Sequence, residues 1–292
     1  RRVVPVVSLL AAFAFVLDQY NIMAKGNEAL PEVLLPLTPF ELTSPLLGLL
    51  LVFRTNSSYE RWSQGGDLAL KIDARFRDLV RGLLSYTKSG LPRKAADVDK
   101  ACDLAAAYQA WIFQSYLVPN SSKSAEATAQ LNAVLNRTGD DLSPVIAQVA
   151  LSRRINTLPD LDPEQWASLE QLLSSISELL AECEYLIRAP IPLSYTRSTV
   201  RFLWLWLSLL PFALVNTFID FGQDTWWAGR TQLIVPAVTF LIGIIFLSIE
   251  DIAVQIEEPF TVQRQQLDMM AQWFVQDLAR MRAPQIPEVR RE

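Results

Sequence analysis

Residues 42–53 read LTSPLLGLLLVF, an uncharged run that leads directly into the charged sequence RTNSSYERW at residues 54–62. A run of about 12 residues is too short for a ~30 Å hydrocarbon layer, which a helix crosses in ~20 residues. Apolar side chains nevertheless continue beyond the first charges at mostly helical spacings: Tyr59, Trp62, Ala69, Ile72, Phe76, Leu79, Val80 and Leu83. This pattern predicts one long helix that leaves the bilayer and continues into water.

Three further runs have the length of a membrane-spanning helix. Residues 3–23 carry a single charge, at Asp18, while residues 202–219 (FLWLWLSLLPFALVNTFI) and 231–249 (TQLIVPAVTFLIGIIFLSI) carry none. The whole chain of 292 residues is 51% hydrophobic and only 20% charged, which is too apolar for an ordinary soluble domain of this size. Together with residues 42–53, these runs predict four membrane crossings.

The polar block between the second and third crossings has the period of amphipathic helices. One apolar stripe consists of Leu104, Tyr108, Trp111 and Ile112, and a longer one of Trp166, Leu169, Leu172, Leu173, Ile176, Leu179, Leu180, Cys183 and Ile187. Alternation of the kind seen in strands is not evident in the sequence. We therefore predict an all-α membrane protein.

The distribution of Lys and Arg predicts the orientation. The connections after the first and third crossings are poor in these residues, whereas the opposite ends are rich in them: Arg1, Arg2, Arg54, Arg61, Arg197 and Arg201. By the positive-inside rule, both termini and the polar block lie on the cytosolic or stromal side. The predicted organisation is a membrane block at residues 1–53, a helical domain at 54–193, a second membrane block at 194–258, and a C-terminal segment at 259–292 that packs on the helical domain.

Composition excludes several classes of function. The chain contains no histidine, so catalysis by Ser-His-Asp or Cys-His groups and imidazole metal sites are ruled out. Its net charge of −5 argues against nucleic acid as a partner. Cys102 and Cys183 lie far apart in the sequence, which predicts two buried helix thiols. We predict no enzyme activity, no catalytic residues, no bound metal and no cofactor.

The run at residues 45–53 also predicts two stripes on its helix. Pro45, Leu49 and Phe53 are four residues apart, with a ~6 Å rise between successive members. Beside them, the smaller residues Ser44, Gly48 and Val52 form a stripe that suits the close approach of another helix. In a symmetric oligomer the bulky stripe lines a narrow apolar constriction. The alternative from the sequence is that these side chains face lipid.

Three blocks of this chain resemble the signature stretches of bestrophins. They are LLVFRTNSSYERW at residues 50–62, IPLSYTR at 191–197 and IEEPF at 256–260. The sequences of the first two blocks are most similar to those of the plant and algal thylakoid branch of the family. This branch includes voltage-dependent chloride channel 1-like proteins and algal bestrophin-like bicarbonate channels. The resemblance implies a protomer with four transmembrane helices in a homopentamer around one axial pore, located in a thylakoid membrane with its helical domain in the stroma.

The resemblance also implies roles for individual residues. The three neck positions of the family fall on Pro45, Leu49 and Phe53, and the inner aperture falls near Glu164. Phe53 then presents the positive edge of its ring to passing anions. Arg54 and Arg61 add a favourable potential for anions, or alternatively serve in packing and snorkelling at the interface.

The family's calcium clasp, by contrast, is not expected here. Where animal bestrophins carry a dense acidic run, residues 261–268 read TVQRQQLD, and amides do not provide the carboxylate oxygens that Ca²⁺ prefers. The function that the resemblance implies is a calcium-independent channel for chloride, with bicarbonate or nitrate as further anions. One alternative is a Na⁺ channel of the same fold, favoured by Glu164. Another is a non-conducting membrane scaffold that binds a partner through the stripe from Trp166 to Ile187.

Overall fold

The computed structural model describes residues 3–25, 30–86, 92–137, 139, 141–158, 161–189, 193–221 and 231–282, and the described part contains helices and no strand. In chain order the helices are α1 (Val3–Lys25), α2 (Thr38–Tyr86), α3 (Pro92–Trp111), α4 (Ser124–Leu135), α5 (Pro144–Asn156), α6 (Pro163–Arg188), α7 (Leu193–Phe221), α8 (Thr231–Ile256), α9 (Pro259–Val262) and α10 (Arg264–Arg282). A short π-helical segment, Ile112–Tyr116, extends α3. The prediction of an all-α protein is confirmed.

The prediction of one long helix through residues 42–83 is also confirmed, because α2 runs without interruption for 49 residues. Within the described residues, three helical segments are long and apolar enough to cross a membrane: Val3–Lys25, Thr196–Phe218 and Leu233–Ile256. The apolar part of α2 is shorter than these, so a crossing by α2 stays a prediction.

The chain divides into two compact units, and the division falls within α2. Unit 1 comprises Arg1–Glu60 and Pro190–Glu257, and unit 2 comprises Arg61–Ala189 and Glu258–Glu292. The domain limits predicted from the sequence lie a few residues away, at 53/54, 193/194 and 258/259. The placement of unit 1 in the bilayer and of unit 2 in water stays a prediction.

Unit 1 is held together by apolar packing among α1, the first part of α2, α7 and α8. Its core contains Val7, Ala14, Leu47, Leu51, Leu203, Leu207, Leu210 and Val235. The approach of α1 to α8 is close at Gly243, where an added Cβ atom would lie 3.2 Å from the Cγ1 atom of Val7. Small residues permit such contacts between helices, and these contacts drive association where lipid removes the hydrophobic effect.

Unit 2 has the larger core, formed by the second part of α2 with α3, α5, α6 and α10. Phe76 lies at its centre, with its ring centroid 5.5 Å from that of Tyr108 and 6.3 Å from that of Phe274 in edge-to-face geometry. Next to these rings, Arg77 donates hydrogen bonds to Asp73 and to Asp277. This network joins α2 to α10 and satisfies polar groups at the edge of the core.

Both cysteines lie in unit 2, and the prediction of two buried helix thiols is confirmed. Burial raises the pKa of Cys102 to about 11 and that of Cys183 to about 12. We therefore expect both thiols of the native protein to resist Ellman's reagent at pH 8, since the thiolate is the reactive form. Labelling before and after denaturation in SDS tests this, and rapid labelling of the native protein would contradict it.

The same shifts fix the sign of a pH effect on stability. Above the ordinary thiol pKa of 9.0 the unfolded chain releases protons that the folded chain retains, up to about 11 for Cys102 and about 12 for Cys183. The free energy of unfolding of unit 2 therefore falls as the pH rises through this window. Substituting both cysteines by alanine will make that part of the pH profile less steep.

Candidate functional site

The bulky stripe predicted on α2 lies on an uncovered face of that helix. Leu49 and Phe53 are 50% and 54% exposed in the single chain, and Pro45 is exposed as well. The opposite side of α2 packs into unit 1 through Leu47 and Leu51, which are fully or almost fully buried. The side that faces away from its own unit is therefore apolar over several turns.

Two further residues of this face were missed in the sequence. Leu42, which is 76% exposed, and Leu46 lie on the same side of α2 as Leu49 and Phe53. The signal that could have found them is the spacing 42, 46, 49, 53, which alternates steps of four and three residues and follows one helix face more closely than uniform steps of four. The exposed apolar face therefore begins one turn before Pro45.

Pro45 lies inside α2 without breaking it. A proline lacks the N–H that would bond to the carbonyl four residues earlier, here that of Glu41. The Ser44 hydroxyl donates to this Glu41 carbonyl at 3.3 Å, and the Thr43 hydroxyl donates to the Pro39 carbonyl at 2.7 Å. The Ser44 hydroxyl thus supplies a donor to the carbonyl that lacks its usual N–H partner because residue 45 is proline.

The small stripe of Ser44, Gly48 and Val52 was predicted to suit the close approach of another helix, and this stays a prediction. Among the described residues nothing lies within 4 Å of a Cβ atom placed on Gly48. Instead α2 meets α7 through larger side chains: the rings of Phe40 and Trp206 are 5.7 Å apart, and the Trp206 indole donates to the Thr43 hydroxyl at 3.1 Å. Aromatic residues bury more apolar area than glycine and valine, which explains why α2 packs against α7 through its aromatic side chains.

Arg54 follows Phe53 directly, yet its side chain points into unit 1 and is only 3% exposed. Its Nε atom lies 2.9 Å from a carboxylate oxygen of Glu250 on α8, and its Nη2 atom lies 4.0 Å from a carboxylate oxygen of Glu257. The positive charge is thus compensated inside unit 1. The predicted attraction of anions by Arg54 stays a prediction, and this geometry favours the packing alternative.

Arg61 is also engaged within the chain. Its guanidinium donates to the carbonyl oxygens of Leu186 at 2.6 Å and Ala189 at 2.8 Å, at the C-terminal end of α6. Those carbonyls lack intrahelical partners, and the negative end of the helix dipole favours a cation there. A role of Arg61 in attracting anions likewise stays a prediction.

Glu164 lies in the first turn of α6 and is exposed. A carboxylate at this position is favoured by the positive end of the helix dipole, whatever its functional role. Its assignment to the inner aperture is not tested by the geometry of a single chain and stays a prediction.

The α6 stripe was predicted as a docking face for a partner, and the structure contradicts this. Leu169, Leu173, Ile176, Leu180 and Cys183 are buried in the core of unit 2. Only the ends of the stripe, Trp166 and Ile187, are exposed. The physical reason is that a wide apolar helix face covers itself first with the other helices of its own unit.

The segment that replaces the calcium clasp makes its contacts within unit 2. The Gln263 amide donates to the Trp62 carbonyl at 2.8 Å, and Arg264 donates to the Ser122 hydroxyl at 2.9 Å. A Cβ atom on Gly65 would lie 2.7 Å from the Cβ atom of Pro259, so glycine is required where this segment crosses α2. Of the block at 191–197, residues 191 and 192 lie outside the described part of the chain.

Comparison with known proteins identifies the family. Residues 1–279 match the family described as Bacterial/Fungal Bestrophin protein. Voltage-dependent chloride channel 1, chloroplastic, of Arabidopsis thaliana is 32% identical over 269 residues, which cover 88% of this chain and 60% of that protein. Voltage-dependent chloride channel 2, chloroplastic, of the same plant is 32% identical over 227 residues, which cover 77% of this chain and 51% of that protein. The chain thus spans only 51% to 60% of the length of these two relatives.

The fold agrees with this result. The crystal structure of a bacterial bestrophin homolog from Klebsiella pneumoniae superimposes with a TM-score of 0.74 at 21% sequence identity, covering 96% of this chain and 97% of that chain. The family model extends across both compact units and includes the α2 stripe and the segment that follows α8. On this evidence the chain belongs to the bestrophin family.

Proposed function

We propose that this chain is the subunit of a pentameric channel that conducts chloride, and also bicarbonate or nitrate, through a neck lined by Pro45, Leu49 and Phe53. The observation that carries the proposal is the apolar face of α2, which stays uncovered in a single subunit of a family with channel-named relatives. Leu42 extends this face beyond Pro45, and Leu46 adds to it between Pro45 and Leu49. The open stripe at Gly48 beside it suits the close approach of a neighbouring subunit.

An apolar neck requires a physical reason to pass anions, because removing water from chloride is costly. The quadrupole of an aromatic ring is negative on its face and positive at its edge. A ring of Phe53 side chains that turn their edges inward replaces part of the lost hydration. The remaining apolar side chains control conduction by wetting and dewetting of the constriction.

The proposed channel works without a calcium clasp of the animal type. Gln263 and Arg264 occupy the positions after Pro259-Phe260, and both donate hydrogen bonds to groups of unit 2. Neither side chain supplies the carboxylate oxygens that Ca²⁺ prefers. Addition of a calcium chelator will therefore leave the current unchanged.

We place the channel in a membrane with unit 2 on the side rich in Lys and Arg. The names of the two Arabidopsis relatives include the word chloroplastic. A thylakoid membrane with the helical unit in the stroma is the location we propose.

A reversal-potential measurement in planar bilayers tests the proposal. Under a tenfold KCl gradient we expect a reversal near the chloride equilibrium potential, about 59 mV in magnitude. A value near the potassium potential, or near the sodium potential in NaCl, would support the rival cation channel. Purified protein without conductance would contradict the proposal. Replacing chloride by nitrate or bicarbonate on one side then ranks the anions.

A further inference from the structure

The uncovered face of α2 does not end at Phe53 but continues with two polar residues. Asn56 and Glu60 are both exposed, and they follow Phe53 at steps of three and four residues. Seven residues make almost two helical turns, so Glu60 lies within about 20° of the direction of Phe53 and ~10 Å further along the axis. All three residues belong to the same uninterrupted helix.

No cation of the described residues pairs with the carboxylate of Glu60. Within the described part of the chain, its polar contact is the amide of Asn56, which donates to the Oε1 atom at 2.8 Å. The nearest arginines in the sequence are both engaged elsewhere, Arg54 with Glu250 and Arg61 with the carbonyls of Leu186 and Ala189. The amide positions the carboxylate without neutralising it.

We infer that Glu60, held by Asn56, forms a ring of negative charge at the inner mouth of the neck and limits the entry of anions from that side. This inference rests on the proposed function, because it takes the α2 face as the lining of the pore. In a pentamer the ring carries five carboxylates around one axis. Their combined potential lowers the local concentration of anions and raises that of cations.

Glu60 is therefore a specificity-determining residue that works against the anion preference of the neck. Its effect depends on salt, because the Debye length is ~10 Å at 0.1 M and ~3 Å at 1 M. The effect of a charge that acts through space on conductance is therefore largely lost as the salt concentration rises from about 0.1 M to about 1 M. The effect of a residue that acts only through packing does not depend on salt in this way.

Single-channel recordings of Glu60→Gln and Glu60→Lys test the inference. At about 0.1 M KCl we expect anion conductance to rise about twofold in Glu60→Gln and further in Glu60→Lys, with both differences largely lost at about 1 M KCl. The reversal potential under a KCl gradient will move toward the chloride potential in the same order. Glu178→Gln, which removes an exposed charge of α6, serves as the matched control and will change neither quantity.

A cysteine at position 60 gives a second readout. The current of one folded variant is compared before and after chemical modification, so differences in folding between variants do not enter. The native thiols Cys102 and Cys183 are buried, so charged methanethiosulfonate reagents will act on Glu60→Cys alone. We expect a cationic trimethylammonium reagent to raise the anion current and an anionic sulfonate reagent to lower it. Equal effects of the two reagents, or none, would overturn the inference.

The outcomes separate this inference from the proposed function. If neutralising Glu60 changes nothing at low salt while Leu49→Ala still changes the current, the charge ring is refuted and the neck stands. If Leu49→Ala and Phe53→Ala also leave the current unchanged, the neck itself is refuted.

Discussion

Replacing Leu49 by alanine will raise the single-channel conductance about tenfold, which corresponds to a barrier lower by ~1.4 kcal/mol. Leu49 lies at the middle of the uncovered face of α2, so truncation in every subunit widens the middle of the proposed neck. A wider neck holds water more readily, and a hydrated anion then loses fewer contacts as it passes. Recordings in symmetric KCl measure this effect directly.

Phe53→Ala will differ from Leu49→Ala in one respect. Both variants widen the neck, but loss of the aromatic edge also removes a favourable interaction with anions. We therefore expect a larger conductance together with a reversal potential that moves away from the chloride potential. The matched control is Leu241→Ala, an exposed leucine of α8, whose conductance will equal that of the unmodified protein. Unchanged currents in both α2 variants would contradict the neck assignment.

Arg54→Ala will lower the free energy of unfolding by about 3–5 kcal/mol, the cost of leaving a buried charge without its partner. The Arg54 side chain is 3% exposed and its Nε atom lies 2.9 Å from the Glu250 carboxylate, with Glu257 at 4.0 Å. Removal of the guanidinium leaves Glu250 buried beside a second carboxylate. Thermal unfolding in detergent, with size-exclusion chromatography as a check on assembly, measures the loss.

A double substitution distinguishes charge pairing from simple packing. Arg54→Met combined with Glu250→Gln removes both charges and keeps most of the volume, so we expect it to recover most of the stability. Arg81→Ala provides the control, because Arg81 pairs with Asp78 at 3.2 Å while 73% exposed, and exposed pairs contribute at most ~1 kcal/mol. An Arg54→Ala variant as stable as Arg81→Ala would contradict the role of the buried pair.

The prediction of α2 from sequence succeeded because two local signals agree. The apolar period continues from residues 42–53 to Leu83 in spite of the intervening charges, and the single helix from Thr38 to Tyr86 follows that period. The burial of the Cys183 thiol has the same origin, since Cys183 lies on the apolar stripe of α6. Helical period is a property of neighbouring residues and can be read without knowledge of the fold.

The main error concerns which partner a helix face meets. The stripe around Leu173 and Ile176 was predicted to receive another protein, but the core of unit 2 covers it. The stripe around Gly48 is open within its own chain, so its predicted contact with another helix stays a prediction. An amphipathic pattern shows which face of a helix is apolar. It does not show whether that face packs on helices of the same chain or on another protein.

By itself the sequence determined the helical class, the long α2 helix and the resemblance to bestrophins, because all three depend on local period and on short motifs. Only the tertiary structure decided where the charges next to the proposed neck point. Arg54 pairs with Glu250, Arg61 binds the end of α6, and Glu60 stays uncovered beside Asn56. These partners are up to 196 residues away in the chain, from Arg54 to Glu250 (250 − 54). Electrostatic pairing depends on distance in space, which the fold alone sets.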